Sequence, residues 1–404
     1  MNPFEYWNPT RLVFGPGSLK KLTSLVKDFR TRELLGTKAL IIYGSERVYK
    51  SGLLGRVTEL LAKAGCEAIT FGGVTPNPDL PTLEAAVERV IAEEIDFLVG
   101  LGGGSVMDLT KAAAAGAKYK GDLWDMVFHG QEPYNPPEEA LPVVMIPTLA
   151  ATGSEMDPIA VITNPKSRQK SFIRSRVLYP LLSVADPELT LTVPPDQTAY
   201  GVSDMISHVT EAYFNGPENT PLQERWAEAV VVNALEYGKQ ALRWPGDINA
   251  RTQLQWTSIV ALNGWVQAGM DGPYPVHAIE HVFSAFYHVA HGAGLAVLNP
   301  AWMLWAAKKR PERFARFAKG VFHIQDMDPL SAAIKGIERL KEEFKGLGLP
   351  STLQELGARE EDWEKLAGTA IETVGKVVEG RKVLPGLIPM EIEDILEVFQ
   401  LASE

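Results

Sequence analysis

Four of the chain's seven histidines fall within fifteen positions, at His277, His281, His288 and His291. A fifth, His208, follows Asp204 by four residues in a stretch of helical spacing. Side chains four apart share one face of a helix, so Asp204 with His208, and His277 with His281, each present two groups together. Imidazoles with one carboxylate suit a borderline divalent ion such as Fe²⁺ or Zn²⁺. Each pair alone reads more simply as a surface hydrogen bond. Scattered core histidines would not bunch in this way, however, and the bunching favours a metal.

A second segment able to do chemistry is rich in glycine. Residues 97–101 read as a strand, Gly102-Gly103-Gly104-Ser105 as a turn, and 106–117 as a helix. A helix N-terminus behind a glycine turn offers free N–H groups and a favourable dipole to an anion, and glycine lets a pyrophosphate approach the backbone. The segment is neither a G-x-G-x-x-G fingerprint nor a P-loop, and a tight strand-to-helix turn without ligand is the plainer alternative. The small residues and hydroxyls of 147–155 follow another strand. They can let a cofactor lie across the carboxyl end of a sheet, the usual crevice of open α/β folds, although such loops are also common caps and turns.

These segments need a scaffold to bring them into place. Short apolar runs at 39–43, 68–71, 97–99 and 143–146 alternate with helical periodicity at 56–64 and 82–92. That alternation implies βαβ units and a parallel sheet, and nearly continuous apolar strands fit a sheet covered on both faces. Beyond residue 187 the strand signal fades, and 198–214, 223–242, 252–270, 331–344 and 361–374 carry helical spacing. The expected architecture is an α/β dinucleotide-binding domain with a parallel sheet over 1–188 and an all-α metal-binding domain over 189–404. The Pro-rich stretches 133–142 and 194–195 read as connectors.

Composition narrows the partners. The formal net charge is −11, from 39 Lys and Arg against 50 Asp and Glu. Nucleic acid and anionic membrane surfaces both want a basic face, so neither is expected as a partner. The one cysteine, Cys66, can form no intramolecular disulfide, which suits a reducing compartment. The N-terminus lacks the pattern of a secretory signal, and no apolar run approaches the roughly 20 residues of a membrane helix. A cytoplasmic location is expected.

The motifs GGGSVMD at 102–108, PTLAATGSE at 147–155, AYGVSDMISHVTEAYF at 199–214 and HAIEHVFSAFYHVAHG at 277–292 together resemble the iron-containing (group III) alcohol dehydrogenase family. The likeness covers essentially the whole chain and is strongest to the butanol dehydrogenase and NADPH-dependent aldehyde reductase branch. By that resemblance Asp204, His208, His277 and His291 bind the metal, with His281 close by but not a ligand. Gly103, Gly104 and Ser105 would hold the pyrophosphate, while Thr148, Thr152 and Asn77 would contact the cofactor. Lys170 falls where the family has a lysine for the cofactor ribose, and Asp108 would lie near the cofactor. The implied fold is shared with dehydroquinate synthase: a dinucleotide-binding domain followed by a helical one. Leu149 and Ala151 depart from the family's usual threonine and glycine. His288 is an extra histidine, read as a partly buried structural residue.

The family's NAD-preferring members tend to carry aspartate where this chain has Gly44. Ser45, Arg47 and Lys50 can then receive a 2′-phosphate, although Glu46 would repel it if turned inward. NADP(H) is therefore expected over NAD(H). The expected reaction is hydride transfer between NADP(H) and a small primary alcohol or aldehyde, assisted by Fe²⁺, Zn²⁺ or another divalent ion. His281 would relay the proton, and Met156, Trp265 and Phe286 are candidates for an apolar substrate wall. Two rival readings are a dehydroquinate synthase-like metal lyase and a non-catalytic nucleotide-binding scaffold. A homodimer is the expected assembly.

Overall fold

A computed structural model describes residues 1–44, 46–130, 133–270 and 272–404. Its chain divides into two compact units. The first comprises Trp7–Val193 with Gly246–Gln255, and the second comprises Met1–Tyr6, Pro194–Pro245 and Trp256–Glu404.

In the first unit, chain order runs β1 (Arg11–Phe14), α1 (Leu22–Thr31), β2 (Lys38–Tyr43), α2 (Glu46–Lys50), α3 (Leu53–Lys63), β3 (Glu67–Phe71), α4 (Leu80–Ala92), β4 (Phe97–Gly102) and α5 (Gly104–Gly116). There follow β5 (Val143–Pro147), an antiparallel pair β6 (Ile159–Asn164) and β7 (Gln169–Arg174), and β8 (Leu182–Ala185). Six strands form one sheet in the order β1-β8-β5-β4-β2-β3, every pair parallel. Alternate residues of each strand feed opposite cores. Leu40, Ile42, Leu98 and Met145 pack with α4 and α5 on one face. Ala39, Ile41, Val99 and Ile146 pack with α1 and α3 on the other. This is why the central strands read as unbroken apolar runs.

The chain goes from β2 outward to β3 and then crosses back to β4 on the other side of β2. The order of the sheet therefore reverses between β2 and β4, and the carboxyl ends of such a pair form the ligand crevice of open α/β sheets. Tyr43 and Leu101 stand in register at those ends, directly before Gly44 and the Gly102–Ser105 turn.

The second unit is built from α6 (Pro195–Asn215), α7 (Pro221–Arg243), the part of α8 (Ile248–Leu262) past Gln255, α9 (Pro275–Tyr287), α10 (His291–Lys309), α11 (Pro311–Phe322), α12 (Pro329–Gly346), α13 (Trp363–Val374), a short hairpin β9 (Lys376–Val378) and β10 (Arg381–Val383), and α14 (Ile392–Leu401). α6 is buried on nearly every side, from Ala199 to Phe214, so it runs through the core of this unit. The helix expected over 252–270 ends at Leu262. Asn263 folds its side chain onto the N–H of Trp265, and Gly264 takes φ +94°, a left-handed turn that stops the helix. Among the described residues, no helix is long and apolar enough to cross a membrane.

Candidate metal centre and nucleotide-binding turn

The histidine cluster and Asp204 converge inside the second unit. α9 ends where His288 adopts φ +56° and donates its N–H to Ser284, and α10 restarts at His291. That break turns His291 back toward His277. From Asp204 Oδ1, the distances are 3.5 Å to His208 Nε2, 3.9 Å to His277 Nε2 and 3.7 Å to His291 Nε2. The ligand atoms of Asp204, His277 and His291 all lie within 4.8 Å of one another. His208 stands outside that trio but reaches Asp204 and stacks its ring on His277, 4.8 Å between centroids.

Asp204 Oδ1 and His277 Nε2 are buried and make no hydrogen bond. Leaving such groups unmatched in a dry interior is costly. Their spacing exceeds a hydrogen bond but approaches the edge of a ligand shell, about 3.4 Å for four ligands at about 2.1 Å. The residues present therefore fit a divalent ion.

The electrostatics agree with that fit. Burial works against the Asp204 charge, yet the surrounding imidazoles His208, His291 and His277 outweigh it and hold the carboxyl down at about 2. Burial drives His208 down to about 4, against the pull of Asp204. For His277 burial also opposes the charged form, but Glu211 and Asp204 prevail and raise it to about 9.

Two acids that sequence reasoning missed stand behind the imidazoles. Glu211 meets His277 Nδ1 and Glu280 meets His291 Nδ1, and both carboxylates are fully buried. A signal was available: each acid lies three residues after a candidate ligand, His208 or His277, on a helix. His281 sits at the edge of the group, with ring centroids 5.4 Å from His291 and 6.3 Å from His277. One of its ring nitrogens lies within 4.8 Å of ligand atoms of Glu280 and His291. His288 is exposed rather than partly buried; its place is the helix end. Trp265 is 47% exposed, against Tyr6 and Trp226, and Phe286 lies under the Lys365 ammonium. Met156 belongs to the first unit and is buried.

In the first unit, the glycine turn caps α5 with Gly103 in extended conformation and no side-chain cap. The glycines answer first to the chain's own packing. A Cβ on Gly102 would lie 2.6 Å from Val106, and one on Gly104 would lie 2.4 Å from Thr152. The 148–152 loop thus lies directly on the turn, with Thr148 N–H donating to Gly102. Gly103 and Ser105 keep partial exposure at the helix N-terminus.

Asp108 faces inward. It accepts from the Ser154 hydroxyl and the Val161 N–H, close to a Lys111–Asp157 pair. Burial chiefly lifts its carboxyl to about 6. Asn77 takes φ +55°, a left-handed conformation that asparagine tolerates. Lys170 is buried on β7 opposite Thr163. Gly44 stands at the end of β2, Arg47 donates to the Thr192 carbonyl, and Lys50 pairs with Glu46 at 2.5 Å. Ser45 lies outside the described residues.

Comparison with known proteins accounts for both halves. Residues 9–187 match the profile of the iron-containing alcohol dehydrogenases, and residues 198–398 match the C-terminal profile of the Fe-containing alcohol dehydrogenase family. A probable NADH-dependent butanol dehydrogenase of Bacillus subtilis is 40% identical over 92% of this chain and 93% of its own. The NADPH-dependent aldehyde reductase YqhD of Escherichia coli is 33% identical over 88% of this chain and 90% of its own. The crystal structure of NADH-dependent butanol dehydrogenase A from Thermotoga maritima superposes with a TM-score of 0.92 at 37% identity, covering 100% of this chain and 99% of that one. Both units thus fall to one class of enzyme, the metal-dependent dehydrogenases. The chain belongs to the iron-containing alcohol dehydrogenase family.

Proposed function

We propose that this protein interconverts a small linear primary alcohol and its aldehyde, using a nicotinamide cofactor and a divalent ion held by Asp204, His208, His277 and His291. The observation that carries the reading is the buried carboxylate–imidazole cluster whose inward atoms lack partners. When bound, the ion supplies Lewis acidity toward the substrate oxygen, and the nicotinamide exchanges the hydride.

The chain's own residues do the rest. Gly103, Gly104 and Ser105 offer the α5 N-terminus to a pyrophosphate, with Thr148 and Thr152 alongside. Asn77 and Lys170 complete the cofactor set, and Asp108 holds the 154–161 segment beneath it. His281, half-buried beside His291, moves the proton between the substrate oxygen and solvent. His281→Ala is expected to lower kcat at least 100-fold, within the range typical of a positioned acid–base group, while metal content stays at the wild-type level. An unchanged rate and pH profile would remove the relay.

The reading is tested by stripping the protein and reloading it anaerobically with Fe²⁺, Zn²⁺, Ni²⁺ or Mn²⁺, then following reduced-cofactor absorbance with a panel of linear aldehydes. Loss of absorbance only in loaded samples supports it. A lyase of the dehydroquinate synthase type would show no net cofactor oxidation, and a binding scaffold no turnover at all.

NADPH as the preferred reductant rests on Gly44. With glycine there, no acid stands at that position to repel a 2′-phosphate, and the site is tight, since a Cβ would lie 3.0 Å from the Val74 carbonyl and 3.1 Å from Val106. Against this, Lys50 is already paired with Glu46 and Arg47 is engaged at Thr192, and the relatives divide between NADH and NADPH by name. A higher kcat/KM with NADPH than with NADH is the expected result; equal or better use of NADH would withdraw the preference. A homodimer in the cytosol, in keeping with the lone buried Cys66, completes the proposal, and sedimentation measures the assembly.

A further inference from the structure

We infer that Glu211 and Glu280 are positioning residues that set how tightly the cluster holds its ion, acting through His277 and His291 rather than as ligands. The inference rests on the metal reading above and adds the groups that orient it.

Glu211, on the buried helix α6, receives three donors. Its oxygens accept the N–H of Val276 at 2.6 Å, the N–H of His277 at 3.0 Å, and a close contact from His277 Nδ1. The first two bonds cap α9, whose own N-cap, Tyr274, makes no side-chain cap bond. The third fixes the imidazole. With Nδ1–H given to a carboxylate, Nε2 is the atom left to face Asp204.

Glu280 does the same for His291 without the capping duty. Its Oε2 meets His291 Nδ1, and its Oε1 accepts the Ser284 hydroxyl at 2.5 Å. Room for it comes from α10, where a Cβ on Gly294 would lie 2.7 Å from Glu280 Cγ and 2.9 Å from its Oε1. Two carboxylates buried to zero exposure carry a desolvation cost that apolar residues of similar volume would avoid. Both spend their oxygens on the Nδ1 side of a histidine whose Nε2 points into the cluster. A carboxylate in that place fixes tautomer and ring orientation and strengthens the donor nitrogen, and its loss typically weakens metal affinity about 10- to 100-fold.

The two acids separate by experiment because only Glu211 also caps a helix. The full-length protein is stripped, and Co²⁺ binding is measured by equilibrium dialysis and by the visible spectrum of the bound ion. The Tm of the metal-free form is recorded beside it. Glu280→Gln keeps an acceptor for His291 but loses the charge, so the Co²⁺ dissociation constant is expected to rise about tenfold with the metal-free Tm unchanged. Glu280→Ala is expected to raise it about 100-fold and to alter the spectrum. Glu211→Gln lowers both affinity and metal-free Tm.

Wild-type affinity in Glu280→Ala would overturn the inference, as would losses of affinity in Glu280→Gln that merely track a falling metal-free Tm. Should the wild-type protein itself bind no stoichiometric Co²⁺, the metal reading falls and takes this one with it. Tight wild-type binding with indifferent variants sinks this one alone.

Discussion

Asp204→Asn is expected to leave a folded protein that retains less than about one-thousandth of wild-type kcat/KM and holds no stoichiometric metal. The reason lies in the charge arithmetic of the cluster. Asp204 is the one carboxylate facing three imidazole Nε2 atoms, at 3.5 to 3.9 Å, and it stays ionised down to about pH 2. An amide of the same size keeps the packing but removes the anion that makes the site attractive to a dication. Lewis-acid stabilisation of a developing alkoxide is worth several kcal/mol, and each 1.36 kcal/mol is about tenfold in rate. Elemental analysis and steady-state kinetics on the same preparation check both halves. Full activity without metal would sink the assignment.

The second large effect is on pH. In the metal-free protein His277 keeps its proton up to about pH 9, chiefly because Glu211 and Asp204 overcome the opposing effect of burial, whereas His208 has lost its proton above about pH 4. Binding at His277 Nε2 requires that atom bare, so an incoming ion must displace a proton. Affinity is therefore expected to climb about tenfold per pH unit from this residue, roughly 100-fold from pH 6 to pH 8. Proton release in unbuffered calorimetry and dialysis at several pH values both measure it. Flat affinity across that window would refute the assignment.

Stability of the metal-free form should move the other way. A folded pKa raised from 6.5 to about 9 means the stabilisation is complete below about 6.5 and is lost as pH rises through about 9. Roughly 3 kcal/mol is at stake. Stripped protein should melt earlier at pH 9.5 than at pH 6.5, while saturating ion reverses the trend.

The convergence of Asp204 with the histidines is readable because i,i+4 pairs on helices leave a periodic trace, and because histidine is scarce enough for bunching to stand out. The central strands were readable for the same kind of reason, since burial on both faces forces continuous apolar runs. β1 and β8 passed unnoticed: four residues each, they are too short to show a period. The β6–β7 pair escaped because its strands mix buried and half-exposed positions. Glu211 and Glu280 left only the weak trace of an acid three residues after a candidate ligand, because the imidazoles they hold, His277 and His291, are met only after folding. His288 was misjudged because sequence cannot say that a helix breaks at that residue.

Gly44 carries one more consequence, for anyone wishing to retune the cofactor. The space an introduced side chain would need is taken by two neighbours of different kinds, a methyl of Val106 and the main-chain oxygen of Val74. Trimming the valine clears one of them, but no substitution trims a carbonyl. Any acid at this site thus needs both neighbours to yield by a few tenths of an ångström, so a swap of redox currency here turns on how far the Val74 main chain can give.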